Sequence, residues 1–181
     1  MDNLKLIRLK DCLSQSVLDK CKEIWLENYI DNDNNKDAYE KGYGVLTSKD
    51  YYPKHDTLND CLILFRDTEV IGWVNVNTKI PDYEFPTTLY ENVILTNNDF
   101  IFIQQVAIAR KEQGKGYGSL LYNLLFEVVP NLKIFAYVRD INKQSFEFHK
   151  KMGFKEIGKF EPSYEINGIK QFKSTLFWRM A

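Results

Sequence analysis

Residues 100–129 constrain the fold more than any other stretch of this chain. Phe100 to Ala109 is an apolar, β-rich run. Gln113-Gly114-Lys115-Gly116-Tyr117-Gly118 follows, and then Ser119 to Val129 places apolar residues at helical spacing. The order is strand, glycine-rich turn, helix. Glycines let a backbone come close to a ligand and adopt conformations closed to other residues. The first N–H groups of the helix then face that ligand, and the helix dipole adds partial positive charge. With Lys115 as a further cation, the natural occupant is a phosphate-bearing molecule.

Two familiar phosphate loops do not fit. A P-loop ends in Gly-Lys-Ser/Thr, whereas Lys115 is followed by Gly116. A dinucleotide fingerprint needs an early βαβ unit, and here an antiparallel-looking region precedes the turn. The pattern Gln-x-x-Gly-x-Gly after Val106-Ala107-Ile108 instead resembles the acetyl-CoA pyrophosphate loop of the GNAT N-acetyltransferase superfamily. A second block, Asn142 to Phe154, resembles that family's later motif of an Asn, a short helix and Gly-Phe, at the usual separation. The likeness covers roughly Cys61 to Phe154.

The resemblance implies acetyl transfer from acetyl-CoA to a primary amine of a small molecule or peptide. Val106, Ala107 and Ile108 would pair with the pantetheine arm like an added strand. Gln113, Gly114, Lys115, Gly116, Tyr117, Gly118 and Ser119 would hold the pyrophosphate. Asn142 would hydrogen-bond near the arm, with Ser145 and Lys151 lining the far wall. Two positions depart from the family pattern. His149 stands where a Tyr commonly serves as general acid toward the thiolate, and an imidazolium suits that task. Gln104 stands where Glu is often found; Gln is no base, but it can orient a proton-relaying water, toward Asp99, Glu91 or a Tyr. These departures keep open a catalytically weak or silent module that senses acyl-CoA or acts as a scaffold. A packed or merely hydrogen-bonded His149 also stays open.

A chain of 181 residues suits one domain with an adequate core. Its net charge of −1 offers no basic field for nucleic acid. Cys12, Cys21 and Cys61 are widely spaced and His55 lies far from His149, so no metal-ligand spacing appears. Reduced thiols, the lack of a signal-like start and the lack of a membrane-spanning apolar run point to a cytoplasmic protein.

The expected fold is α/β in the α+β sense. It is a mixed, mostly antiparallel twisted sheet of about six to seven strands flanked by helices, with a central parallel pair splayed for CoA. Leu4 to Leu9 reads as an edge strand, and Ser16 to Ile30 as a helix capped by Asp11 or Ser14. Residues 1–60 would form the acceptor side. There Asp31, Asp33, Asp37 and Glu40 accompany Tyr29, Tyr39 and Tyr43, either as a mouth for a cationic amine or as a solvated loop. Cys61 to Val76 reads as a hairpin, with Gly72 marking a bulge or close approach. Residues 78–99, broken by Pro81 and Pro86, read as an insertion or lid. The cofactor core spans 100–154, in which Lys133 to Val138 is a buried parallel strand and Gly153 stops a helix over Ser145 to Met152. Lys155 to Ile166 and Ile169 to Met180 read as a final hairpin about Asn167-Gly168. Exposed there, Phe172, Leu176, Phe177 and Trp178 would suit a homodimer contact.

Overall fold

Seven strands run side by side in the order β1-β2-β3-β4-β5-β9-β6. They are β1 (Leu4–Arg8), β2 (Cys61–Arg66), β3 (Glu69–Asn77), β4 (Phe100–Ile108), β5 (Lys133–Arg139), β6 (Lys155–Phe160) and β9 (Ser174–Met180). Two short strands, β7 (Glu165–Ile166) and β8 (Ile169–Lys170), make a separate ribbon. The computed structural model describes residues 3–29, 61–77, 100–140, 142–160, 165–166, 169–170 and 174–181. The acidic aromatic stretch after Tyr29, the 78–99 insertion and the Asn167-Gly168 turn lie outside them. No described helix is long and apolar enough to cross a membrane.

Alternation along the strands gives the sheet two apolar faces. Leu64, Val74, Ile101, Ile103, Ile134, Ala136 and Phe177 point to one, beneath helices α2 (Tyr117–Val128) and α3 (Lys143–Lys151). Ile63, Trp73 and Ala107 point to the other, beneath α1 (Gln15–Tyr29) and its buried Leu18, Cys21, Ile24 and Trp25. Ser14 caps α1 by accepting a hydrogen bond from the Val17 N–H at 3.3 Å. Trp73 is fully buried, and its indole N–H donates to the Cys21 carbonyl at 3.3 Å, pinning α1 to β3.

The β2–β3 hairpin turns at Asp67, whose φ of 54° is left-handed. Its register shifts opposite Leu64 and Phe65, so Ile71 is the extra residue of a bulge. Gly72, beside it, lies where the neighbouring backbone comes close: a Cβ there would stand 2.8 Å from the Ala107 carbonyl oxygen and 2.5 Å from Ile108 Cδ1. A second bulge sits on β4. Asn75 pairs with Gln105 and Val76 with Ile103, leaving Gln104 unopposed.

Among the described strands, β4 and β5 are the one parallel pair. Their ladder runs from Phe100↔Lys133 to Ile103↔Ala136 and stops. Beyond it β5 continues to Arg139 paired only with β9, and β4 continues to Ile108 paired only with β3. The expected splay is therefore present, and it begins at the Gln104 bulge, because a bulge bends its strand and increases the local twist.

The expected C-terminal hairpin is present, β6 pairing with β9 and β7 with β8, but its return strand is not an exposed edge. β9 pairs with β6 but also with β5, so it lies inside the sheet. Leu176 and Phe177 are consequently fully buried rather than exposed. The Phe177 ring meets Phe146 of α3 at 5.0 Å between centroids, and Trp178 stacks on Phe135. A strand with a neighbour on each side and a helix above has little side chain to spare for a dimer contact. Phe172 lies outside the described residues.

Replacing Phe177 by Ala is expected to destabilise the fold by about 3–5 kcal/mol, the usual range for emptying a large aromatic site in a packed core. Gly72→Val should cost about 1–3 kcal/mol through overpacking against the β4 backbone. Both are read from the midpoint of chemical denaturation, and wild-type midpoints in either variant would contradict these packing assignments.

Candidate functional site

The site is built where β4 leaves β5. Between β4 and α2 the chain makes a short 3₁₀ turn, Arg110–Glu112, and then the glycine loop. Gly114 and Gly116 have φ of 76° and 89°, the left-handed region that favours glycine, and a Cβ at either would meet nothing within 4 Å. The loop thus presents bare backbone to open space. Gly116 is the N-cap of α2, so the helix starts at Tyr117, two residues earlier than its apolar spacing predicts. Gly118 lies against the Phe148 ring, 3.5 Å from where a Cβ would stand, which couples the first turn of α2 to α3. Ser119 sits half-buried in the same turn.

The ladder between β3 and β4 sets which peptide groups face the gap. The Ala109 N–H donates to the Ile71 carbonyl at 2.9 Å, toward β3. By alternation Ala107 also turns to β3, while Val106 and Ile108 turn their peptide groups to the side vacated by β5. The Ile108 carbonyl is held there by two side-chain amides, Asn28 Nδ2 at 3.0 Å and Gln113 Nε2 at 3.1 Å. Gln113 also donates to Asn28 Oδ1 at 2.7 Å. Glu27 accepts from the Arg110 N–H at 2.9 Å, and its carbonyl accepts from the Arg110 guanidinium at 3.0 Å. The Gln of the loop motif therefore ties the loop to the C-terminal end of α1. Glu27 and Asn28 carry no motif by which a sequence reading would find them.

Beneath the loop lies a second feature that the sequence did not announce. Glu112 is buried, at 3% exposure, and receives a two-pronged hydrogen bond from Arg66 at 2.9 and 3.1 Å. Lys115 reaches the same carboxylate at 3.1 Å. Arg66 also holds Glu69 at 3.0 Å, and Glu69 in turn holds Lys111. Burial pushes the Glu112 carboxyl up, but hydrogen bonds from Arg66 and Lys115 outweigh it and hold the group below the usual carboxylate range. Glu69 is also lowered, chiefly by Lys111 and then by Arg66. The expected loop cation, Lys115, is thus engaged with Glu112, while its side chain stays half exposed.

On the other side of the gap, Asn142 caps α3, its Oδ1 accepting from the Ser145 N–H at 3.0 Å. That is a sufficient local reason for an Asn at this position. Lys151 is exposed on the last turn of α3. Gly153, with φ of 82°, ends the helix as its position suggests. His149 is buried, at 3% exposure, among the rings of Tyr122, Phe148, Phe154 and Phe177. Its Nδ1 faces the Ser145 carbonyl at 2.7 Å and its Nε2 faces the Tyr122 hydroxyl at 2.9 Å. One neutral tautomer satisfies both, Nδ1–H donating to the carbonyl and the phenol donating to Nε2. Burial lowers the His149 pKa although the Ser145 carbonyl acts to raise it. Burial is the larger effect, so the packing disfavours the imidazolium that a proton-donating role needs. Gln104, by contrast, is exposed at the bulge. The structure therefore brings together the glycine loop, Val106, Ile108 and Gln104, and sets His149 in the core behind them.

The described residues contain no cluster of His, Cys, Asp or Glu able to hold a metal ion. The model of the GNAT acetyltransferase family matches residues 45–154, more than half of the chain. Solved structures share the fold along nearly the whole length. Arabidopsis thaliana NAA60 in complex with acetyl-CoA is 13% identical, covers 99% of this chain and 100% of its own, and superposes with a TM-score of 0.63. A GNAT-family acetyltransferase from Bacillus cereus is 18% identical over 99% and 97% of the two chains, with a TM-score of 0.59. The ribosomal-protein-S18-alanine N-acetyltransferase from Escherichia coli is 12% identical over 98% and 92%, at 0.57. No curated protein matches the sequence.

Arg66→Met should lower the melting temperature at pH 7 more than Lys111→Met does, because it removes the two-pronged partner of the buried Glu112 and leaves only Lys115, while Lys111 touches half-exposed Glu69. Glu112 has a depressed folded pKa, so its stabilisation is present above the unfolded carboxyl value of about 4.3 and is lost as pH falls. The deficit of Arg66→Met should accordingly shrink when the melts are repeated at pH 4. For His149 the folded pKa is also depressed, so the unfolded chain binds the extra proton first. Stability should fall as pH drops below about 6.5, and His149→Leu should lose that part of the slope between pH 7.5 and 5.5.

Proposed function

The chain belongs to the GNAT acetyltransferase family, and on that premise we propose that it moves the acetyl group of acetyl-CoA directly to a primary amine of a small molecule or peptide. The observation that carries this reading is the parting of β4 from β5 beside a bare glycine loop. A strand-width opening takes a long thin arm, and the loop at its edge takes the anionic end. In this reading the N–H groups of 113–119 receive the pyrophosphate, with Lys115 exchanging Glu112 for phosphate. Val106 and Ile108 receive the pantetheine arm as an added strand, and a peptide N–H there polarises the thioester carbonyl. Asn142, Ser145 and Lys151 form the opposite wall.

The amine lone pair attacks the thioester carbon. The C–N bond forms, the C–S bond breaks, and the proton lost from nitrogen balances the proton gained by the thiolate. Much of the acceleration comes from holding the two reactants in register. Gln104 supports the proton's path by orienting a water at the bulge. His149, kept neutral by its packing, supports the site as a fixed acceptor for the Tyr122 hydroxyl. A peptide or protein amine is in keeping with the Escherichia coli enzyme of the same fold, a ribosomal-protein-S18-alanine N-acetyltransferase.

Calorimetric titration with acetyl-CoA and with CoA, followed by a thiol-release screen over polyamines, amino acids, aminoglycosides and peptides, tests this reading. Binding with thiol release for one amine class is the expected result. Gly116→Glu should abolish binding through charge repulsion and left-handed strain. Binding without turnover on any amine would favour a sensor or scaffold, and no binding would overturn the loop assignment.

A further inference from the structure

Two side-chain oxygens near the gap are buried without a hydrogen-bond partner: Asn75 Oδ1 and Gln105 Oε1. Asn75 as a whole is only 5% exposed. Buried carbonyl oxygens nearly always find a donor, because leaving one bare forfeits its hydration with no return. These two are also not scattered. Asn75 on β3 and Gln105 on β4 are direct cross-strand partners. They share a face with Trp73 and Ala107, whose pair is the next one on the same side, so both side chains lie on the α1 side of the sheet. Gln105 is the first residue after the Gln104 bulge and immediately precedes Val106, where β4 has lost β5. The pair therefore interrupts an apolar face at the level of the opening, between the cluster under α1 and the cluster of Phe100, Phe102 and Phe135.

We propose that Asn75 and Gln105 are the acceptor-recognition pair of this enzyme: their carbonyl oxygens receive the two N–H bonds of a primary amine and leave its lone pair facing the gap. This rests on the acetyl-transfer reading above and names how its second substrate is held. Side chains directly opposite on antiparallel strands stand about 5 Å apart at Cβ, a span that one nitrogen donating twice can bridge. A secondary amine satisfies one oxygen and an alcohol satisfies one, leaving the other bare; the pair therefore selects nitrogen over oxygen and primary over secondary. The ring of Phe102, on the same face and 5.3 Å from that of Tyr137, lines the approach with apolar surface. Docking the amine exchanges two unmade hydrogen bonds for two made ones. The chemistry is the balanced transfer already described: N–C forms, C–S breaks, and one nitrogen proton ends on sulfur.

The test uses the full chain, butylamine, spermidine and a peptide with a free α-amino group as probes, and the N-methyl counterpart of each. Asn75→Leu and Gln105→Met keep the side-chain volumes while removing the oxygens. For each variant the expected result is an acetyl-CoA affinity within twofold of wild type. The melting temperature should be unchanged or higher. A fall of at least tenfold in kcat/KM is expected for the best primary amine, carried mainly by KM. In the wild-type protein the N-methyl counterpart should be at least tenfold poorer, and the variants should narrow that ratio. Wild-type kcat/KM in both variants would overturn the pair while leaving the transferase standing. A melting temperature that falls in both variants would also overturn it, since it would show the amides to be structural. Thiol release from none of the amines by the wild-type protein would overturn the acetyl-transfer reading itself, and this proposal with it.

Discussion

The parting of β4 from β5 after Ile103 is the constraint on which the rest of the molecule depends. A parallel pair that stays in register would satisfy its own backbone and leave no opening. Here one extra residue, Gln104, bends β4 at the point where the ladder ends. The cost of the unmade ladder is offset locally: β3 holds β4 from one side and β9 holds β5 from the other. The gap is thus a built feature, kept open by two neighbouring antiparallel ladders that do not share the bend.

Around that gap the charged groups are arranged so that the loop is firm before any ligand comes. Arg66 crosses from the β2–β3 hairpin to Glu112, which lies in the turn that introduces the glycines. Burying a carboxylate is tolerable only with such partners, and the two-pronged guanidinium geometry suits it. On the opposite side Asn28 and Gln113 fix the last carbonyl of β4. The loop is therefore anchored from β2 and from α1 at once, while Gly114 and Gly116 keep open space in front of them. Preorganisation of this kind reduces the ordering cost of binding an anion.

Much of this was legible in the residues. The glycine spacing, the Asn-helix-Gly-Phe block and the alternating strands located the sheet, the crossover and the loop, since local conformational demands and apolar periodicity are written directly in a sequence. The side on which a residue spends its hydrogen bonds is not. Gln113 reads as a ligand contact, yet it serves Asn28 and Ile108; Asn142 reads likewise and caps α3. His149 matched a catalytic position by motif, but its depth among four aromatic rings depends on α2, β9 and Phe154 arriving together. The misjudged exposure of Leu176 and Phe177 has one cause: a terminal apolar strand looks the same whether it closes an edge or enters the middle of a sheet.

That insertion has a consequence for how the chain reaches its final shape. β6 is synthesised before β9 yet has no other neighbour in the sheet, and β5 likewise lacks its antiparallel support until β9 arrives. β9 turns back from β6 as one arm of a hairpin, and its other edge closes on β5. The β5–β9 pairing joins strands separated in the chain by α3 and β6, so it carries more loop-closure entropy than the β6–β9 hairpin and forms more slowly. While β9 is still missing, Phe135 and Ala136 of β5 present apolar surface with an unpaired edge, the kind of intermediate that chaperones recognise. The same strand that buries Phe177 and steadies the opening therefore also joins the two parts of this half of the sheet as it assembles.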